Sequence, residues 1–335
     1  MLLEDAEQIT TGALFGAALT ASGVFTPSII LEQFELKNFY MVQVFAVAVG
    51  SSALIMLAFD RTGLVQRPVR PNSPLGSHWL YGGNLLGGIM VGLGMNLTGA
   101  CPGTVLVQLA QGIQSAWPAA VGALLGGVAY NHVSPMLLPH LRPQSMHTVK
   151  RTIPQAAHLP ESMTYALLGT SVLGLLAITH GWLHASGPFS SVGGLAIGAA
   201  QAVSLLLTSG PVGVSTAYED AGRYILQILH VDKTPKPSQV PKAIIFAAAM
   251  VAGSAAFGRM AISSSISPAG VYIPFWQALI GGFIMVFGAR LGGGCTSGHG
   301  LSGMGALSVS SLVTVVGMFG AGILSRLSMT ATLTV

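Results

Sequence analysis

Charged residues are scarce in this sequence. Asp, Glu, Lys and Arg make up 7% of its 335 residues, whereas soluble domains carry about 25%. This scarcity excludes an ordinary soluble domain. The 14 basic and 10 acidic residues leave a net charge of +4, but the basic residues are scattered over the chain and form no dense run or stripe. We therefore expect no nucleic-acid partner.

Cysteines are few and nucleotide-binding motifs are missing. The two cysteines, Cys101 and Cys295, cannot form a disulfide framework, and neither lies in a Cys-x-x-Cys or Cys/His zinc spacing. The sequence has no Walker loop, so it encodes no direct use of ATP. We expect no cofactor and no resident metal. The first ten residues hold three acidic residues and no Lys or Arg, which is the wrong charge for a cleaved secretory signal.

Apolar residues and glycine are abundant. Hydrophobic residues make up 51% of the chain and 44 residues are glycine, a composition typical of closely packed membrane helices. Crossing about 30 Å of hydrocarbon takes about 20 helical residues. Nine apolar segments are candidates, at 11–31, 39–59, 80–97, 116–130, 163–183, 192–207, 243–257, 274–288 and 307–324. The predicted fold class is an all-α polytopic membrane protein with about nine transmembrane helices plus short re-entrant helices.

The loops between these predicted spans differ in charge. Most basic residues follow the spans of even number, and these are Arg61, Arg67, Arg70, Arg142, Lys150, Arg151, Arg223, Lys233, Lys236, Lys242 and Arg290. The other loops hold Lys37, Arg259 and Arg326. By the positive-inside rule the N-terminus is expected to face the cytoplasm. We expect a multi-pass protein of the plasma or inner membrane, surrounded by the lipid bilayer.

The two halves of the chain are related in sequence. The segments LGGIM at 86–90 and LGMNLTGAC at 93–101 align without gaps on IGGFI at 280–284 and FGARLGGGC at 287–295. Four spans in each half leave the fifth between them, so equivalent spans would cross the membrane in opposite directions. We predict two inverted-topology repeats, an arrangement that in transporters places the substrate site at the repeat interface. The predicted divisions are a first repeat at 1–160, a linking transmembrane helix at 161–190 and a second repeat at 191–335.

Each half carries its cysteine on a turn rich in glycine. The stretch GACPGT at 99–104 contains too many helix breakers to continue the preceding helix, and Pro102 suits the first position of a new short helix. The stretch GGGCTSGHG at 292–300 has the same character. Irregular backbone at membrane depth is tolerated where it lines a cavity or is buried in protein. We therefore predict two re-entrant turns that bring the thiols together near mid-membrane.

These turns predict a site for a sulfur-bearing anion. The free amide groups at a helix start carry positive partial charge, and a thiol there suits a sulfur ligand. The alternatives are that the cysteines only pack in a glycine-rich core or form a disulfide. Their equivalence in the two repeats favours function. The predicted substrate-binding residues are Cys101, Gly103, Thr104, Arg290, Cys295, Thr296, Ser297 and His299.

Two of these residues have competing interpretations. A cation such as Arg290 is expensive at membrane depth, so it is expected to pair either with the substrate or with a structural anion. His299 follows Cys295 by four residues and is expected to share its helix face, where it would tune the thiol or relay a proton. The alternative for His299 is a packing role with both ring nitrogens satisfied.

The two motifs resemble those of the YeeE/YedE family of membrane proteins with sulfur-transport domains, whose members include thiosulfate importers. The matching pieces are GACPGT at 99–104 and GGGCTSGHGLSG at 292–303, each with its preceding helix. The resemblance implies a two-repeat helical bundle that passes thiosulfate along central cysteines by transient contacts with thiols. Family importers carry a further cysteine near the end of the first helix, whereas SGVFTP at 22–27 has none. Either two thiols suffice, or the cargo is a different sulfur compound.

The leading hypothesis is therefore uptake of thiosulfate or a related small sulfur-containing anion by a transporter that is not an enzyme. A soluble sulfurtransferase is a candidate partner. One rival is a membrane-embedded enzyme in which a cysteine accepts a sulfane sulfur as a persulfide. A second rival is a soft-metal channel, which two thiols and dispersed methionines would serve.

Overall fold

The protein is a bundle of helices. The computed structural model describes residues 2–73, 75, 79–141, 149–183, 189–230, 239–260 and 271–333. Within these ranges the regular structure is helical and no β-sheet forms. Two isolated β-bridges, Pro71 with Lys150 and Thr152 with Ser308, tie loops together.

The helices follow the same order of long and short elements in the two halves. The first half contains α1 (Leu2–Ala21), α2 (Pro27–Phe34), α3 (Tyr40–Thr62), α4 (Gly82–Thr98), α5 (Pro102–Ala110) and α6 (Ala116–Leu141). The connecting part contains α7 (Ile153–Ala157) and α8 (Glu161–Leu183). The second half contains α9 (Phe189–Thr208), α10 (Ser215–Ile228), α11 (Lys242–Met260), α12 (Phe275–Leu291), a π-helix (Thr296–Gly303) and α13 (Val309–Leu333).

Several of these helices are long and apolar enough to cross a membrane. Six segments in the described ranges meet that condition, and α12 with the π-helix makes a seventh if this pair, bent by 46°, is one span. Each of the nine predicted spans overlaps one long helix, but α1 opens with acidic residues and α6 contains Asn131 and His132, which lower their hydropathy. The count of nine stays a prediction. Three basic residues used for the orientation lie outside the described residues, namely Arg142, Lys233 and Lys236.

The first predicted span, 11–31, is wrong as a single segment. The structure divides it into α1 and the short α2. Gly23 adopts the left-handed conformation with φ of 69°, and Pro27 occupies the first turn of α2. A proline has no N–H group to continue a preceding helix but fits the start of a new one.

Helices of one half pack on helices of the other in matched pairs. Helix α1 packs on α11, and α9 packs on α3. Helix α4 packs on α13, and α12 packs on α6. Helices α4 and α12 also face each other in the centre, whereas α8 packs on α3 at the margin.

Glycines allow α4 and α12 to approach closely. A Cβ atom added at Gly281 would lie 3.1 Å from the carbonyl oxygen of Gly94, and one at Gly288 would lie 3.0 Å from that of Gly87. In apolar surroundings, such small residues let helix backbones pack against each other. This contact fixes the ends of α4 and α12, which lead directly into the two cysteine turns.

Candidate functional site

The first cysteine turn joins α4 to α5. Helix α4 ends where Gly99 adopts the left-handed conformation with φ of 58°, and Cys101 becomes the N-cap of α5. The Cys101 sulfur accepts hydrogen bonds from the backbone N–H and the hydroxyl of Thr104, both at 3.3 Å. In return, the Thr104 hydroxyl accepts a hydrogen bond of 2.6 Å from the Cys101 N–H. This reciprocal cap sets the position of the sulfur at the start of a helix.

The second turn joins α12 to the π-helix. Gly293 has φ of 85°, and Cys295 is the N-cap of the π-helix. The Cys295 sulfur lies 3.2 Å from the Ser297 hydroxyl. The backbone N–H groups of Gly298, Val214 and Ser215 also lie near this sulfur. It is therefore surrounded by donors from the starts of two helices, the π-helix and α10.

A cavity of about 50 Å³ lies between the two turns. Five predicted substrate-binding residues line it, namely Cys101, Gly103, Thr104, Thr296 and Ser297. The rest of the lining is apolar and comes from α1, the link between α1 and α2, α3, α9 and the π-helix: Phe15, Leu19, Val24, Met41, Val44, Phe45, Ala48, Ile197 and Leu301. The structure therefore brings residues of both halves to one space in the interior of the bundle.

The two thiols are buried near this cavity. Cys101 is 8% exposed and Cys295 is 2% exposed, although Cys295 lies outside the cavity lining. Both cysteines are free, so no disulfide joins them. The two thiols lie near each other. A ligand that reached from the cavity to Cys295 would pass Ser297, whose hydroxyl contacts that sulfur.

His299 is buried with both ring nitrogens hydrogen-bonded. Its Nε2 lies 3.1 Å from the carbonyl oxygen of Gly292, and its Nδ1 lies 2.8 Å from the hydroxyl of Ser311. A carbonyl oxygen only accepts, so Nε2 carries the hydrogen. These bonds match the packing interpretation of His299, in which the ring holds the turn against α13.

Arg290 lies in an ion pair apart from the cavity lining. Its guanidinium contacts the carboxylate of Glu219 on α10 and stands 5.9 Å from the centre of the Tyr130 ring. Hydroxyl groups of Ser215 and Thr216 lie 3.5 and 3.4 Å from its Nη1. Of the two expected partners for Arg290, the geometry provides the structural anion.

Arg70 is a residue that the sequence prediction used only for orientation. It lies in the loop between α3 and α4, and its Nη1 donates to the carbonyl oxygen of Gly293 at 3.3 Å. The same guanidinium lies near the thiol of Cys295. Nothing in the local sequence marks Arg70 as different from other loop arginines, since its neighbours at the site are more than 200 residues away in the chain.

Tyr218 is a second residue near the thiols that the sequence analysis did not place there. It is buried on α10, and its hydroxyl donates a hydrogen bond of 2.9 Å to the carbonyl oxygen of Pro102. It also lies near the thiols of Cys101 and Cys295. Helix α10 therefore links the two cysteine turns.

The described residues contain no group of three or more His, Cys, Asp or Glu side chains that would hold a metal ion. The buried Met95 and Met318 instead accept hydrogen bonds from the Thr296 hydroxyl at 3.5 and 3.4 Å. These methionines fill the helix interface next to the second turn.

The long apolar helices make the chain a multi-pass integral membrane protein, and two glycine-rich cysteine turns meet inside it. The model of the sulphur transport family matches residues 21–324, and the chain belongs to that family. The resemblance inferred from the two motifs is therefore confirmed. One relative is the thiosulfate transporter TsuA of Spirochaeta thermophila, which is 26% identical over 328 residues, or 90% of this chain and 92% of the relative.

Proposed function

We propose that this protein takes up thiosulfate, or a related small sulfur-containing anion, through a central pathway lined by Cys101 and Cys295. The observation that carries the proposal is the cavity between the two turns, which residues of both halves line. Residues of both turns, Cys101, Gly103, Thr104, Thr296 and Ser297, line it together with apolar side chains of the surrounding helices. The family membership and the relative named as a thiosulfate transporter support the same cargo.

The chemistry of the turns fits a sulfur anion. Cys101 and Cys295 each stand at the start of a short helix, where unsatisfied N–H groups attract negative charge. A thiol can donate its hydrogen to the terminal sulfur of thiosulfate and accept hydrogen bonds in turn. Such contacts are weak enough to break as the anion moves from one thiol to the next. No covalent bond to the cargo is required, which is why we propose a transporter and not an enzyme.

The proposed architecture consists of inverted repeats at 1–160 and 191–335, with 161–190 as the linking helix and nine spans in total. Its support is the reciprocal packing of the two halves. In the sequence alignment of the repeats, Gly87 corresponds to Gly281 and Gly94 corresponds to Gly288. In the structure the contacts between α4 and α12 are exchanged, because Gly94 meets Gly281 and Gly87 meets Gly288. Exchanged contacts of this kind are what a two-fold axis between the repeats would produce.

The missing third cysteine of the first helix is compatible with this proposal. In the segment 22–27, Val24 lines the cavity with an apolar side chain. The anion would then reach Cys101 without an earlier thiol contact. We propose that two thiols suffice in this protein, and that a soluble sulfurtransferase is a candidate acceptor on the cytoplasmic side.

Uptake of thiosulfate labelled in its terminal sulfur, by cells or proteoliposomes that contain the full chain, tests the proposal. We expect Cys101→Ala and Cys295→Ala each to reduce the initial rate about tenfold or more, equivalent to about 1.4 kcal/mol. Thr170→Ala is the matched control, because Thr170 is exposed on α8 and bonds only within its own helix. Uptake at the wild-type rate by either cysteine variant would contradict the proposal. A stable persulfide on either cysteine after exposure to thiosulfate would instead favour the sulfur-transfer enzyme.

A further inference from the structure

The backbone of Arg70 is anchored against the segment that leads into α13. Its N–H donates a hydrogen bond of 2.7 Å to the Ser308 hydroxyl. Its carbonyl oxygen accepts hydrogen bonds from Ser308 at 3.1 Å and from Ser310 at 3.0 Å. These three bonds fix the direction in which the side chain leaves the loop, which is toward the second cysteine turn.

The Arg70 guanidinium lies in a cradle of glycines around that turn. A Cβ atom added at Gly294 would lie 3.1 Å from Nη1 of Arg70. One added at Gly298 or Gly213 would lie 3.0 or 3.4 Å from Nη2. Gly294 and Gly298 lie on either side of Cys295 in the sequence, and Gly213 precedes the start of α10. The absence of side chains at these positions leaves room for the planar group directly beside the backbone that surrounds the Cys295 sulfur.

The charge on this guanidinium has no carboxylate partner among the described residues. The ion pairs of the described carboxylates go to Lys37, Arg67, Arg223, Lys242, Arg290 and Arg326. The Nη1 of Arg70 donates to Gly293, but its Nε is buried without a hydrogen-bond partner within the described part of the chain. A buried cation that lacks an anion is costly. A site that contains such an unpaired cation is suited to bind and release an anion.

We propose that Arg70 binds the charged oxygen end of the substrate while its terminal sulfur lies against Cys295. This inference rests on the proposed function and adds the group that recognises charge. A guanidinium presents several N–H donors in one plane, which matches two oxygens of a sulfonate-like group. The thiols then select for a terminal sulfur, and Arg70 selects for the negative oxygens at the other end of the same ion.

Two anions that differ at only one end of the molecule separate these roles. Methanethiosulfonate keeps the terminal sulfur of thiosulfate but replaces one charged oxygen with a methyl group, so it carries one negative charge less. Unlabelled thiosulfate and methanethiosulfonate are each used to inhibit uptake of labelled thiosulfate by the full-length protein. The inhibition constant of methanethiosulfonate divided by that of thiosulfate measures the preference for the extra charge. The matched control is Arg61→Gln, which removes an exposed arginine at the end of α3.

We expect Arg70→Gln to lower this ratio about tenfold or more, the size of one lost charge-assisted hydrogen bond. Arg70→Lys keeps the charge but not the planar donor group, so its ratio should fall between those of Arg70→Gln and the wild type. Arg61→Gln should keep the wild-type ratio. The same ratio is available from ligand-induced shifts in Tm of the purified variants if Arg70→Gln transports too slowly for inhibition to be measured.

A wild-type ratio in Arg70→Gln overturns the inference. If that variant does not purify in folded form, a wild-type ratio in Arg70→Lys has the same consequence. The outcome is distinct from a failure of the proposed function, which shows as full uptake by the cysteine variants. Loss of uptake in the cysteine variants together with an unchanged ratio in Arg70→Gln would support the thiol pathway and show that Arg70 does not bind the substrate.

Discussion

The side-chain amide of Gln108 donates a hydrogen bond of 2.7 Å to the carbonyl oxygen of Phe25, a residue 83 positions earlier in the chain. The same amide donates to the carbonyl oxygen of Gly99 at 2.9 Å. Gln108 is fully buried on α5. One side chain therefore ties the start of the first cysteine turn to the break between α1 and α2, where Val24 lines the cavity.

Replacing Gln108 with leucine should destabilise the protein and slow uptake. The substitution removes both hydrogen bonds and leaves two buried carbonyl oxygens without this donor, at a cost of about 1–3 kcal/mol. Thermal unfolding of the purified variant and the uptake rate measure the two effects. Gln114→Leu is the control, because Gln114 is exposed in the turn after α5. Equal losses in the two variants would show that the buried amide has no special role.

Thr104 should prove necessary for the position of the Cys101 sulfur. Its hydroxyl donates to the sulfur and accepts from the Cys101 N–H. In Thr104→Val the new side chain has nearly the same shape, but the buried N–H of Cys101 loses its acceptor. We therefore expect a loss of about 1–3 kcal/mol in stability and slower uptake. Thr104→Ser retains the hydroxyl and should stay close to wild type in both measurements. A valine variant with wild-type Tm and wild-type uptake would refute this account of the cap.

The long helices and both cysteine turns could be predicted from the sequence because their signals are local. Apolar length marks the spans, and glycine with proline marks the place where α5 begins. The short helices α2 and α10 were not predicted. The sequence has helix breakers at Pro27 and at Ser209-Gly210-Pro211, but a breaker alone does not say that a new helix starts within a few residues.

The partners of the charged residues could not be predicted in the same way. Arg290 and Glu219 are 71 positions apart in the numbering, and Arg70 meets the second turn only through the fold. Such pairs depend on which helices become neighbours, and the residue pattern along one helix does not indicate its neighbours. Five of the eight predicted binding residues line one cavity because they belong to the turns themselves.

The close contact between α4 and α12 makes a glycine at 281 necessary for the fold. A Cβ atom there would lie 2.6 Å from the Cβ of Leu97 and 3.1 Å from the carbonyl oxygen of Gly94. We expect Gly281→Ala to cost about 1–3 kcal/mol through overpacking, measured as a lower Tm. Gly169→Ala is the matched control, because a Cβ at that helical glycine meets nothing within 4 Å. That control should leave Tm unchanged or raise it slightly.

The ion pair between Arg290 and Glu219 should behave as a structural unit. Their side chains are 16% and 15% exposed, so removing one partner should cost about 1–3 kcal/mol, less than the roughly 3–5 kcal/mol of a fully buried pair. We expect the double variant Glu219→Gln with Arg290→Gln to be more stable than the sum of the single losses implies. Uptake should recover along with stability. Restored stability without restored uptake would assign Arg290 to the substrate after all.

The carboxylate of Glu35, in the link between α2 and α3, should make stability depend on pH. Hydrogen bonds from Lys37 and then Arg326 hold the pKa of Glu35 below its ordinary value, although burial opposes them. A depressed pKa gives stability that is present above the unfolded pKa of about 4.3 and is lost as the pH falls through the lower folded pKa. Glu35→Gln should therefore lower Tm at pH 7, by about 2–4 °C for each kcal/mol lost.

The difference in Tm between wild type and Glu35→Gln should shrink as the pH falls below about 4, because the wild-type carboxylate then becomes neutral as well. Thermal unfolding across this pH range in constant detergent measures the difference. Glu7→Gln removes a carboxylate from α1 and provides the control for the general effect of charge. A Tm difference for Glu35→Gln that persists unchanged at acid pH would mean that the glutamate contributes through packing and not through its charge.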